Sequence, residues 1–287
     1  MQQDGPFMAQ QAASWFTQLA GTARPADYFL HPLAFPMLLL PWCMEQTLRD
    51  APDADFQANL IYSSINGYYF IRMIDNVMDG HGETERQQLP MLGVFHSQFH
   101  AVYQQYFESQ HPFWGHFHQI GIQSAESALR DAALSDIDSN AFATIAGRKV
   151  IGGKIPLAAV AYRYQRPDLF QKWQPFYDQL GCWHQMYNDL FGWIKDLQNE
   201  TPTYFLCEGR RRKPPAQSMA AWVIHEGFDW GMQYLENGMG ELLDLAQQLH
   251  SRELVDYLHT RRRLMVSQTA QITRAFQSLE PLLDAQL

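Results

Sequence analysis

Apolar residues recur at three- and four-residue steps over six stretches: Phe56–Met78, Phe95–Phe107, Phe113–Leu134, Phe170–Leu197, Met219–Leu249 and Leu254–Phe276. This is the period of helices with one buried face. Alternating apolar and polar positions between Asn-Gly or Asp-Gly turns, the mark of hairpins, are nearly absent. The pattern predicts an all-α chain. Gly80-His81-Gly82 should end one helix, because glycine favours the left-handed cap. Ser135–Ser139 (SDIDS) offers polar caps to a helix beginning near Asn140. Gly209–Pro215 (GRRRKPP) reads as a loop, closed by a proline pair that cannot continue a helix. It is the one candidate internal boundary, but each side looks incomplete alone. The expectation is a single α-helical domain over residues 1–287.

Composition adds three constraints. Apolar residues make up 46% and charged residues 18% of the 287, enough for a substantial core. The formal charge of -9 argues against nucleic-acid binding, so an anionic ligand must be met locally by metal ions or a small basic cluster. Cys43, Cys182 and Cys207 have no metal-type spacing and fit a reducing compartment. The N-terminus lacks a basic segment followed by an apolar one. The stretch Pro32–Met44 is too short for a span and is broken by prolines. A cytoplasmic protein without stable membrane insertion is expected. The aromatic content of 14% fits either a well-filled core or an aromatic-walled cavity.

Two acidic segments stand out. The first, YYFIRMIDNVMDGHG, places Asp75 and Asp79 four apart, one turn apart on one helix face. Like charges at that spacing repel by a few tenths of a kcal/mol, roughly, and here they sit in an apolar stretch. A bridging cation would relieve this, and magnesium suits carboxylate oxygens, water and phosphate together. The alternative is a solvent-exposed face with Arg72 as partner, which is the commoner meaning of an isolated D-x-x-x-D.

The second segment, QMYNDLFGWIKD, spaces Asn188, Gly192 and Asp196 by four and four. Over two turns these stay on roughly one face, so Asn188 and Asp196 can give oxygens to one ion. Lys195 beside them can meet a phosphate oxygen as a point charge. Gly192 in mid-helix costs about 1 kcal/mol against alanine, which calls for a packing or functional reason. An amphipathic helix with Asp189 and Asp196 in solvent remains the other reading.

Together the segments resemble the class I isoprenoid synthases. NDLFGWIKD is similar to the second metal motif of class I terpene synthases, N-D-x-x-S-x-x-K-E, through Asn188, Asp189, Lys195 and Asp196, with Gly192 at the hydroxyl position. DNVMD resembles the aspartate-rich motif, with Asn76 at its second aspartate. The same segments are also similar to squalene and phytoene synthases: Arg72 precedes the first cluster, and Gly181, Gln185, Asn188, Asp196, Tyr204 and Leu206 fit the second. That branch carries an aspartate where Gly192 stands. Between the motifs, GRKVIGGKIP (Gly147–Pro156) resembles the terpene synthase segment in which an arginine senses diphosphate before a helix break. The resemblance covers roughly Tyr68–Leu206, about half of the chain.

The resemblance implies a helical bundle around a central active-site cavity and up to three magnesium ions. Their ligands would be Asp75, Asp79, Asn188 and Asp196, with water taking the place left at Gly192. It implies a geranyl, farnesyl or geranylgeranyl diphosphate substrate, ionised at its allylic carbon and cyclised to a terpene. Arg148, Lys154, Lys195 and Arg262, from the TRRRL segment at Thr260–Leu264, would meet the diphosphate. Tyr68, Phe70, Tyr187 and Phe191 would wall the cation pocket. A homodimer is a family expectation. Alternatives are a squalene- or phytoene-type synthase, a chain-elongating prenyltransferase, and a non-catalytic module that binds prenyl diphosphate.

Overall fold

The computed structural model describes residues 5–78 and 83–284, with the side chains of 83–85 and those beyond 278 outside the description. Asp79 and the expected Gly80-His81-Gly82 stop lie outside the described residues. Among the described residues every regular element is helical. In chain order these are α1 (Pro6–Ala20), α2 (Ala26–Leu30), α3 (Leu39–Gln46), α4 (Ala54–Met78), α5 (Glu83–Gln88), α6 (Leu92–Gln104) and α7 (Phe113–Ala132). They continue with α8 (Ser139–Lys149), α9 (Lys154–Arg163), α10 (Pro167–Gln198), α11 (Tyr204–Arg212), α12 (Met219–Trp222), α13 (Phe228–Gln248) and α14 (Arg252–Asp284). The six periodic stretches correspond to α4, α6, α7, α10, α12 with α13, and α14.

The chain divides into two compact units, residues 1–122 with 152–170 and residues 123–151 with 171–287. In the first unit α4 packs along α6. Gly67 permits their approach, since a Cβ there would stand 3.0 Å from the Phe99 ring. Ala12, Trp15, Tyr69, Met73, Met91 and Phe95 form a buried cluster. A second anchor is Glu45, fully buried on α3. Its carboxylate accepts from the Asp53 amide at 2.7 Å, from Gln57 Nε2 and from Tyr164 Oη. These bonds tie α3 to the start of α4 and to the end of α9.

In the second unit α10 carries a long buried face. Trp173, Phe176, Leu180, Trp183, Met186 and Leu190 are each at most 1% exposed along it. Leu235, Met239 and Leu242 of α13 and Leu254, Leu258 and Met265 of α14 are equally buried. Two contacts lock α13 to α10. Trp183 Nε1 donates to the Leu235 carbonyl at 2.8 Å, and a Cβ at Gly231 would stand 2.6 Å from a Leu190 methyl. Close packing of this kind leaves no room for an added methyl group.

One expectation is corrected here. Gly209–Arg212 is not loop but the end of α11, and the chain leaves the helix only at Lys213. The Thr203 hydroxyl caps the helix by accepting from the Leu206 amide. Arg211 and Arg212 each pair with Glu208 one turn back, at 2.9 Å. Gly209 lies under Trp222, whose ring a Cβ would approach to 2.6 Å. Tertiary packing thus overrides the low helix propensity of glycine.

Replacing Glu45 by alanine strands three donors, the buried Gln57 amide and the half-buried Asp53 amide and Tyr164 hydroxyl. Chemical denaturation should show a loss of about 3 kcal/mol in the transition of this unit. An unchanged transition would contradict the anchoring role.

Candidate functional site

The second acidic segment lies on the C-terminal half of α10. Asn188 is exposed, Gly192 and Asp196 are half-buried, and Lys195 is exposed. A Cβ at Gly192 would meet only Asp196 Oδ2, at 3.6 Å. The glycine therefore leaves an open notch beside a carboxylate oxygen, between two oxygen-bearing side chains on successive turns. Burial lifts the Asp196 carboxyl above the usual carboxylate range, while Lys195 and Lys149 pull it back.

Lys149 connects this face to α8. The Asp138 carboxylate caps α8 by accepting from the Ala141 amide at 2.8 Å, and the helix runs to Lys149. A single 3₁₀ turn, Ile151–Gly153, then breaks it from α9, at the place where GRKVIGGKIP predicts a break. The end of α8 lies against α10 through paired glycines. A Cβ at Gly181 would stand 3.0 Å from Gly147 Cα and 2.9 Å from a Val150 methyl. A Cβ at Gly147 would stand 3.3 Å from the Asp178 carbonyl. Tyr177 Oη donates to the Val150 carbonyl and satisfies the frayed end of the helix. Lys149 pairs with Asp131 of α7 at 2.8 Å and acts electrostatically on both Asp189 and Asp196.

Asp189 is a buried strut, not a solvent-facing carboxylate. Its Oδ1 accepts from Gln185 Nε2 at 2.7 Å, and its Oδ2 accepts from the Tyr204 amide at 3.2 Å. Burial pushes its carboxyl up to about 6, against the opposing pull of Gln185 and Lys149. The bond to Tyr204 fastens the start of α11 onto α10. Gln185 and Tyr204, two positions shared with the squalene and phytoene synthase segment, thus meet through Asp189.

The expected pocket aromatics are engaged in packing. Tyr187 and Phe191 stack at 4.5 Å between Trp183 and Phe228, and Tyr187 Oη donates to Gln268 of α14. Tyr68 and Phe70 pack against the core of the first unit, Tyr68 edge-on to Phe29 and Phe70 beside His96. In that unit Asp75 is half-exposed and pairs with Arg72 at 3.5 Å. Lys154, at the start of α9, is 5% exposed.

The TRRRL arginines point three ways. Arg261 is fully buried, 4.8 Å from the Trp183 ring, and bonds to His184 Nδ1 at 2.7 Å and to Tyr257 Oη. Arg262 pairs with Glu236 at 2.6 Å on an exposed face. Arg263 donates to Thr260 Oγ1. Burial, helped by the Arg261 charge, lowers His184 to about 3, so it accepts as a neutral imidazole. Arg148 lines a groove between α7 and α8.

The sequence reading missed Lys149 and the strut role of Asp189. For Asp189 the signal was available: Gln185 precedes it by four residues and apolar residues follow it. For Lys149 no local signal exists, because its partner Asp131 is on another helix.

Magnesium takes hard oxygen ligands in number. Asn188, the notch at Gly192 and Asp196 fit such an ion in part, supplying oxygens from two turns and room for water. Among the described residues no three His, Cys, Asp or Glu side chains gather into a metal-holding group. Comparison with known proteins finds no matching family model and no matching curated protein. No described helix is long and apolar enough to cross a membrane.

Two variants probe this geometry. Gly181→Val forces α8 off α10 and should cost about 2 kcal/mol of stability, beyond any helix-propensity gain. His184→Gln keeps an acceptor for Arg261 but removes a titrating group. His184 is neutral in both states above its unfolded pKa of about 6.5. Below that, only the unfolded chain binds the proton, so stability is lost as pH falls from there toward 3, by about 1.4 kcal/mol per unit. Denaturation curves of His184→Gln between pH 6 and 4 should show a shallower loss; a slope equal to the parent's would refute the assignment.

Proposed function

We propose that the chain is a class I isoprenoid synthase that ionises an allylic prenyl diphosphate with magnesium and cyclises the resulting cation. The observation that carries this reading is the junction of α8 with α10. Within one compact unit, a helix breaks directly after a basic pair, and glycine packing holds its end against the helix bearing Asn188, Gly192 and Asp196.

In this reading the oxygen atoms of Asn188 and Asp196 would hold magnesium on α10, and Asp75 is the ligand proposed for the first motif. Magnesium held there would supply positive charge opposite a departing diphosphate. Lys149 and Lys195 add fixed positive charge at the same face. The cation of the broken helix is assigned to Lys149 in place of Arg148, because Lys149 acts on the α10 carboxylates while Arg148 lines the α7–α8 groove. Asp189 and Gln185 hold the start of α11 and so fix the register of the α10 face.

A second reading, condensation of two prenyl diphosphates, has its own support. Gly181, Gln185 and Tyr204, shared with squalene and phytoene synthases, occupy structural positions around Asp189 and the α8 junction. Product analysis separates the two. A cyclised hydrocarbon or alcohol from one substrate molecule supports the cyclase, whereas a doubled carbon count supports condensation.

The purified protein should release diphosphate from geranyl, farnesyl or geranylgeranyl diphosphate with magnesium. EDTA, Asp75→Ala or Asn188→Ala should reduce the rate by at least roughly a hundredfold, as loss of a transition-state charge contact does. No turnover of any of the three, together with no magnesium-dependent diphosphate binding, would overturn the enzyme reading.

A further inference from the structure

The groove between α7 and α8 encloses about 400 Å³ and is lined by Ser127 and Arg130 of α7, Ala133 and Leu134 after it, and four residues of α8. Those four are Ala141, Thr144, Ile145 and Arg148, one face of the helix at three- and four-residue steps. The volume falls within the range of small-ligand sites. No α10 residue lines it among the described residues, so it is separate from the Asn188–Asp196 face.

Three features give the groove a chemistry. Its middle is aliphatic, built from Ala133, Leu134, Ala141 and Ile145. Ser127 is 3% exposed, and its hydroxyl has no hydrogen-bond partner among the described residues. Buried hydroxyls are nearly always satisfied by protein, water or ligand, and a groove ligand with an oxygen acceptor meets that need. The third feature is the charge count. Arg130 is neutralised by Glu126 at 2.5 Å. Nearby, Lys149 pairs with Asp131 at 2.8 Å. Arg148 is half-buried against the groove and has no ion pair or hydrogen bond among the described residues. One guanidinium is therefore left over, and a guanidinium fork matches a carboxylate in a two-point contact.

We propose that the α7–α8 groove is a binding site for a monoanionic amphiphile, an apolar chain ending in a carboxylate. The chain lies along Leu134, Ala141 and Ile145, and the carboxylate takes the Arg148 fork. A diphosphate carries more negative charge than this single leftover cation balances. The site therefore goes beyond the proposed catalytic function and requires neither magnesium nor turnover.

The test is calorimetry with the full chain in EDTA, using octanoate, acetate and octanol as probes. Octanoate should bind, with acetate and octanol each at least roughly tenfold weaker, since each lacks one of the two contacts. Arg148→Gln should weaken octanoate by roughly tenfold and Arg148→Lys by less, because lysine keeps the charge but not the fork. Thr144→Trp, at an exposed lining position, should block the groove without unfolding the chain, which circular dichroism checks. The proposal fails if octanoate does not bind at millimolar concentration, or binds equally well to Arg148→Gln and Thr144→Trp. It also fails if farnesyl diphosphate in EDTA displaces octanoate and binds more tightly, which would assign the groove to a polyanion. Catalytic inactivity toward prenyl diphosphates would leave these binding outcomes unchanged, so the two readings fail separately.

Discussion

The close approach of Gly147 on α8 to Gly181 on α10 is the contact on which the arrangement of the second unit's candidate site depends. Any side chain at Gly181 would run into Val150 and Gly147 itself. With hydrogen at both positions the end of α8 rests on α10, and Tyr177 holds it there through the Val150 carbonyl. Everything placed by that contact follows from it. Lys149 reaches the field of Asp189 and Asp196, Arg148 turns toward α7, and the chain must break before α9. Helix pairs gain most of their stability from packed faces, not from propensity. Two glycines therefore act here through the proximity they allow.

A second layer of constraint comes from polar groups that water cannot reach. Asp189 and Glu45 are buried carboxylates that use their lone pairs to tie one element to the next: α10 to α11 in one case, α3 to α4 and Tyr164 in the other. Arg261 is treated differently. It has a neutral imidazole at His184 and aromatic faces at Trp183 and Tyr257. Burying a charge is tolerated only with such partners, and each of these groups fixes a register that apolar packing alone would leave free.

The long helices were legible in the sequence because their apolar faces repeat over many turns. The cap at Ser135–Ser139 and the break near Gly152-Gly153 were legible because Asp and Gly have local backbone preferences. The end of α11 was not, because GRRRKPP reads as loop until Glu208 and Trp222 are brought to it by the fold. At the site, α10 carries Asn188, Gly192 and Asp196 on successive turns as their spacing requires. The aromatic residues Tyr68, Phe70, Tyr187 and Phe191 were ambiguous from the start, and each one packs against neighbouring rings. Arg262 was one of three adjacent arginines. Only the three-dimensional partners separate it, paired to Glu236, from the buried Arg261. Long-range pairings such as Lys149 with Asp131 leave no trace in local sequence.

The central claim is that the α10 face, with Lys149 beside it, is where a metal-bound diphosphate sits. A crystal of the protein soaked with manganese and inorganic diphosphate tests it most directly. The account predicts anomalous density on the Asn188 and Asp196 oxygens, with diphosphate oxygens toward Lys149. Diphosphate bound in the α7–α8 groove against Arg148, with no manganese at α10, would contradict it.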